Sequence, residues 1–172
     1  MSADCARVSV SVAVPPSLAF DAFTTHIDDW WRRGPKFRNA SSSSGLIRLE
    51  PRLGGRLFES FARAGQEHVF EVGRILRWDP PNRLSFSWRN SNYAAEEQTE
   101  VDVEFASAGK GTMVTVVHRR LASLRADHPA RHGLPPAEFV RMIGLWWADQ
   151  LTSLRLEIDN RSRESAGDPA AP

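Results

Sequence analysis

Residues 83–89 read RLSFSWR, with Leu84, Phe86 and Trp88 on one side of an extended chain and Arg83, Ser85 and Ser87 on the other. Strict alternation of apolar and polar residues is the signature of a β-strand with one buried face. The pattern recurs in both directions. Residues 99–105 set Val101, Val103 and Phe105 against Glu100, Asp102 and Glu104, and residues 7–14 set Val8, Val10, Val12 and Val14 against Ser9, Ser11 and Ala13. Turn chemistry separates the runs. Asp79-Pro80-Pro81-Asn82 stops the segment 68–78, Gly54-Gly55 divides 46–50 from 56–62, and Ala64-Gly65 divides 56–62 from 68–78. Ala108-Gly109-Lys110-Gly111 marks a hairpin into a last strand at 112–119. Strands this close, joined by turns this short, form an antiparallel meander rather than βαβ units.

Helical spacing appears only at the two ends of this series. Pro15-Pro16 stops the first strand, and Pro16-Ser17 starts a short helix carrying Leu18, Ala19, Ala22 and Phe23 on one face. A second short helix or helical turn carries Ile27, Trp30 and Trp31. Pro135-Pro136 introduces a long helix, expected over 138–159, with Phe139, Met142, Ile143, Trp146, Leu154 and Ile158 on its apolar face. Residues 41–45 read as a polar loop. The expected organisation is an N-terminal extension (1–6), one domain (7–160) and a polar, disordered tail (161–172). The fold class is α+β: a curved antiparallel sheet wrapped around the long C-terminal helix, with two short helices after the first strand. A sheet gripping a helix does not fill all its interior, so a cavity between the two is expected.

Composition narrows the function. The 172 residues carry a formal net charge of +1, with 41% hydrophobic and 25% charged residues, which suits one globular core and gives no electrostatic case for nucleic acid or an anionic membrane. Lys36 and Lys110 are the only lysines, and this arginine excess reads as a GC-rich, bacterial coding bias. A lone cysteine, Cys5, forms no internal disulfide and fits a reducing compartment. With no apolar run of signal-peptide or bilayer-spanning length, a cytoplasmic location is expected.

Several segments together resemble a known family. They are VAVPPSLAFDAFT, the Trp30-Trp31 pair, LEPRLGGRLFES, VGRILRWDPPNRLSFSW, the GTMVTVVH strand and LWWADQLTSL, spanning about residues 7–159. In this order they resemble the stand-alone bacterial Hsp90-ATPase-activator-homologue (AHSA1-like) proteins of the START/Bet v 1-like (SRPBCC) superfamily. The resemblance implies a helix-grip fold and a hydrophobic pocket. It implies no single function, since relatives include co-chaperone domains, lipid and polyketide binders, aromatase/cyclases and proteins of enediyne self-resistance. The main expectation is binding of a small hydrophobic or aromatic molecule, without cofactor or metal. A cyclase-like enzyme or a self-resistance protein is the alternative, and a co-chaperone-like interaction the third. A homodimer is left open.

The candidate site residues follow from strand faces. His118 shares a face with Val114 and Val116, so it is either a pocket acid/base or a core histidine with a satisfied ring. Glu59 alternates with Leu57 and Phe61. It is either an inward carboxylate with a raised pKa or, the favoured reading, one held by arginines of neighbouring strands. The expected pocket comprises Trp30, Phe58, His68, Phe86, Trp88, His118, Met142 and Trp146, with Trp88 and Trp146 the better aromatic walls. His128 and His132 have the spacing of helical metal ligands, but Pro129 lies between them and no third ligand is near in sequence.

Overall fold

Alternation along the strands becomes, in the computed structural model, a single sheet of seven antiparallel strands ordered β1-β7-β6-β5-β4-β3-β2. Residues 4–40 and 45–167 are described. The chain runs β1 (Ala6–Val12), α1 (Pro16–Thr24), α2 (Ile27–Trp30), β2 (Leu46–Leu49), β3 (Arg56–Arg63), β4 (Gln66–Asp79), β5 (Arg83–Trp88), β6 (Thr99–Ala108), β7 (Gly111–Arg119) and α3 (Pro136–Gly167). The two edge strands, β1 and β2, are consecutive in the chain and are connected through α1, α2 and the segment after them. Among the described residues no helix is long and apolar enough to cross a membrane.

Register turns the alternation into a core. Val8, Val116, Val103 and Leu84 are cross-strand partners in one row, and Ala6, His118, Val101, Phe86 and Ile75 form the next. Each fully buried side chain of this size contributes roughly 1.5–3 kcal/mol. On the opposite face the acidic residues of β6 meet arginines: Glu104 with Arg83, Asp102 with Arg119, and Glu100 with Arg120. Register shifts at Leu57/Phe58 in β3 and Ile75/Arg77 in β4 bend the sheet. At the bend a Cβ on Gly73 would fall 1.6 Å from the Ser87 carbonyl oxygen, so only glycine lets β4 and β5 approach there. The β3–β4 turn needs a positive φ at both Ala64 (51°) and Gly65 (77°), as a two-residue hairpin of the primed type does.

Beneath α1 and α2 the interior is filled with rings. Phe20 meets Trp78 and Phe105, Phe23 meets Phe105 and Trp30, and Trp30 meets Trp31, all with centroids 4.8–5.7 Å apart. The space expected between sheet and helix is therefore closed over most of its length and remains open only at one end.

Two expectations about α3 are corrected. Its buried face comprises Phe139, Trp147, Gln150, Leu151, Leu154 and Ile158, with Met142, Ile143 and Trp146 half-buried against the core, so the core tryptophan is Trp147, which the expected face left out. The helix also continues past Asn160 to Gly167, into the stretch expected to be disordered. Arg161 explains part of this continuation: it pairs with Glu157 one turn back at 2.7 Å and with Asp29 of α2 at 2.5 Å. Residues 168–172, and residues 41–44 of the loop expected at 41–45, lie outside the described residues.

Candidate functional site

Three segments meet at the open end of the grip: residues 31–40 after α2, residues 89–98 between β5 and β6, and residues 129–146 leading into and through the first half of α3. The first two have no periodic pattern, and polar anchors hold all three in place.

Arg38 organises the first. Its buried guanidinium donates to the Trp31 carbonyl at 2.6 Å, the Arg32 carbonyl at 3.2 Å and Asp28 Oδ1 at 2.7 Å. Burial works to raise the pKa of Asp28, but the Ile47 N–H and the Arg38 guanidinium outweigh it and hold the carboxyl below its ordinary value. Glu59 fastens the end of the segment. It is 0% exposed and accepts the backbone N–H groups of Asn39 (2.7 Å) and Ala40 (3.2 Å). The strand arginines expected to hold Glu59 are replaced by backbone donors, because the chain folds back over the carboxylate. Two contacts from α3 complete the segment: Gln150 Oε1 accepts from Arg32 N at 2.9 Å, and the Trp146 indole N–H donates to the Lys36 carbonyl at 2.9 Å.

The second and third segments are tied to each other. His128 Nδ1 accepts from Ala130 N at 3.0 Å, and Nε2 lies 2.8 Å from Glu97 Oε2. Backbone donation at Nδ1 fixes the neutral ring with its proton on Nε2, directed at the carboxylate. Glu97 also accepts from Ala94 N at 2.8 Å. Tyr93 packs edge-on against His128, with centroids 4.9 Å apart.

Together the segments enclose an open cleft of about 780 Å³. Trp88, Tyr93, Leu134, Met142, Ile143 and Trp146 supply its apolar wall, and Asn90, Asn92, His132, Glu138 and Arg141 its polar groups. A smaller recess of about 340 Å³ shares Pro35, Lys36, Trp88, Asn90, Asn92 and Trp146 and extends to Ile47 and Val72. Trp88 and Trp146 meet edge to face at 5.5 Å, and Trp31 stacks on Trp88 from within the protein.

His118 forms part of the floor, 2% exposed. Its Nδ1 accepts the Trp147 indole N–H at 3.1 Å, and its Nε2 is 2.7 Å from Thr99 Oγ1. Burial lowers its pKa to about 3, so the ring is neutral at neutral pH. With both nitrogens engaged, the imidazole has no free lone pair to offer as a base. Its partners are side chains rather than the backbone carbonyl that a core histidine ordinarily finds.

The structure brings Trp88, His118, Met142 and Trp146 to the cleft and places four other expected residues elsewhere. Trp30 is enclosed under α1 and donates to the Phe23 carbonyl. Phe86 lies fully in the core between Val101 and Ile75. Phe58, alternating with Glu59, faces away from it and is covered by the Arg56 guanidinium at 4.6 Å. His68 is exposed near the β3–β4 turn, stacked on its cross-strand partner Phe61. Phe58, His68 and Phe86 lie on strands whose period-two pattern runs on past the cleft, whereas Trp30 lies on α2. Conversely, Tyr93, Asn90, Asn92, Leu134 and Arg141 were missed, although Tyr93 is the chain's sole tyrosine.

A curled antiparallel sheet closed by one long helix, with an aromatic cleft at the open end, defines a helix-grip protein. Residues 13–140 match the profile of the activator of Hsp90 ATPase homolog 1-like proteins, and the chain belongs to that family. Solved structures share the fold at low identity. A protein of Nitrosomonas europaea aligns with TM-score 0.62 and 16% identity over 95% of this chain and 99% of that one. The Aha1 protein of Colwellia psychrerythraea, described as a dimer, aligns with TM-score 0.57 and 14% identity over 88% and 92%. DynU16, described as a protein in the dynemicin biosynthetic locus, aligns with TM-score 0.61 and 19% identity over 91% of this chain and 47% of that one. No curated protein matches the chain in sequence.

Proposed function

We propose that the chain binds a small, flat, largely apolar molecule in the cleft bounded by residues 31–40, residues 89–98 and the first half of α3. The observation that carries this reading is the wall of the cleft: Trp88, Trp146, Tyr93 and Met142 surround about 780 Å³, within the range of small-molecule sites. Rigid rings with few rotatable bonds lose little entropy when a planar ligand settles on them. Anchoring by Arg38, Glu59 and Gln150 holds one wall in place before the ligand arrives. Among the alternatives, acid–base catalysis by His118 is disfavoured, because a neutral ring engaged at both nitrogens takes up no proton near pH 7.

The test blocks the cleft from its own wall. Wild-type protein should bind 1-anilinonaphthalene-8-sulfonate at about one site with enhanced probe fluorescence, and Met142→Trp should abolish that binding with the far-ultraviolet circular dichroism unchanged. Equal probe binding by both proteins would place the apolar site elsewhere and end the proposal.

A further inference from the structure

Several polar side chains around the cleft are already committed to holding its walls. Lys36 pairs with Asp149, Asn39 Oδ1 accepts the Ser91 N–H at 3.4 Å, Gln150 Oε1 accepts from Arg32 N, and Glu97 holds His128. The carboxamide of Asn90 is not committed. It makes no hydrogen bond among the described residues, although the residue is half-buried and lines both the larger cleft and the smaller recess, alongside Trp88 and Trp146.

The backbone holds Asn90 in that place. On one side the Arg89 N–H donates to the Val72 carbonyl at 2.8 Å, and on the other the Tyr93 N–H donates to the Asn90 carbonyl at 3.0 Å. Residues 90–93 thus form a turn. An asparagine that opens a turn commonly gives its side-chain oxygen to the backbone N–H two residues on. Asn90 forms no such bond, so its donor and its acceptor both remain available. His132, Glu138 and Arg141 differ from it, because they are exposed on the rim, where water satisfies them.

A flat ligand settling on Trp88 and Trp146 would strip the remaining water from Asn90. A carboxamide presents an N–H donor and a carbonyl acceptor in one plane. Covering it with a group that answers only one of the two leaves the other unsatisfied. The matching group is planar and carries both, side by side and in opposite order. We propose that Asn90 is a specificity-determining residue, and that the ligand is a planar aromatic molecule with a lactam-type edge, a ring N–H beside a ring carbonyl. This rests on the binding function proposed above and names the class of ligand. The tryptophan rings supply contact area, and Asn90 supplies orientation.

Two compounds isolate the edge. 2-Quinolone and coumarin share one outline and one carbonyl, and differ in the ring N–H of the quinolone, which coumarin replaces with oxygen. Nuclear magnetic resonance titration of the intact wild-type chain should show 2-quinolone binding about 5–10-fold tighter, the equivalent of one neutral hydrogen bond. Asn90→Leu, a side chain of nearly the same size, should erase that preference while still binding coumarin. Equal affinities in the wild type, or a preference that survives in Asn90→Leu, would overturn the role of Asn90 and leave the cleft as a binding site. If neither compound binds the wild type although 1-anilinonaphthalene-8-sulfonate does, the lactam class is overturned and the cleft stands. If that probe fails as well, the cleft reading falls and this inference with it.

Discussion

Trp146 and Trp147 are adjacent in sequence and point roughly 100° apart around α3, and they belong to different regions of the molecule. Trp147 is fully buried, its indole N–H given to a buried histidine. Trp146 stands in the wall of the cleft, its indole N–H given to the backbone of the 31–40 segment. One end of the grip is thus sealed by packing, and the other is kept open by polar contacts between segments with no regular structure. The same residue type serves as filler in one place and as a hinge post in the other. The difference is that space around Trp147 is enclosed on all sides, whereas space around Trp146 communicates with solvent. A site needs both: a closed region that fixes the frame, and an open one that the frame keeps from collapsing.

The contrast breaks most visibly on truncation of the inner ring. Trp147→Ala leaves a closed cavity, worth about 3–5 kcal/mol for a fully buried tryptophan, and orphans Nδ1 of His118, which costs about 1–3 kcal/mol more. The loss expected in urea or guanidinium denaturation is therefore at least about 4 kcal/mol, a large fraction of the roughly 5–15 kcal/mol that holds an ordinary domain folded. A loss below about 2 kcal/mol would mean that water or a relaxed helix fills the space, and that the inner region is not sealed.

A slightly smaller effect is expected from acid. His118 has an ordinary pKa of 6.5 and a folded value near 3, set by burial. Below pH 6.5 the unfolded chain takes up a proton that the folded chain refuses. The stabilising contribution is therefore complete above pH 6.5 and is lost as pH falls toward 3, by roughly 4–5 kcal/mol over that window. His118→Gln should flatten this limb of the stability–pH curve, measured by denaturation midpoints between pH 4 and 7. An unchanged slope in the variant would show that the ring is reached by solvent and titrates in the folded state.

Much of the sealed region was legible in the sequence, and little of the open one. Strand alternation put Val114, Val116 and His118 on the inner face, and the structure keeps them there. Periodicity works for such residues because a sheet face is either in or out. On α3 it found Phe139, Leu154 and Ile158 but left out Trp147, because two tryptophans in succession satisfy an apolar face equally well and only the register of Phe139, Leu151 and Leu154 decides which is buried deeper. Tyr93, Asn90 and Asn92 lie in a segment with no period, held by Glu97 and His128 from a different part of the chain. Contacts of that kind join residues about 30 positions apart, and no local pattern announces them. Glu59 is intermediate: its inward direction was legible, but its backbone partners depend on how residues 38–40 return over β3. Residues 161–167 misled for the opposite reason. They have little to bury, yet a helix already begun needs only an occasional surface contact, here Arg161 to Asp29, to continue.

The smallest expected effects lie at Trp146, and they separate its two contributions. Trp146→Ala removes partly exposed ring surface without creating a closed void, so the loss should be about 1–2 kcal/mol, well under that of Trp147→Ala. Trp146→Phe keeps most of the ring and deletes only the bond to the Lys36 carbonyl, a change of about 0.5–1.5 kcal/mol. If the 31–40 segment is held mainly by Arg38, Glu59 and Gln150, the Phe variant should sit at the low end of that range and bind an aromatic probe nearly as well as the wild type. If the indole latch holds the wall, the Phe variant should instead lose probe affinity while its denaturation midpoint barely moves. Both quantities come from the same two titrations. A Phe variant as unstable as the Ala variant would mean that Trp146 acts through its hydrogen bond and not through its ring, and the contrast between packed and open tryptophans would then rest on a single polar contact.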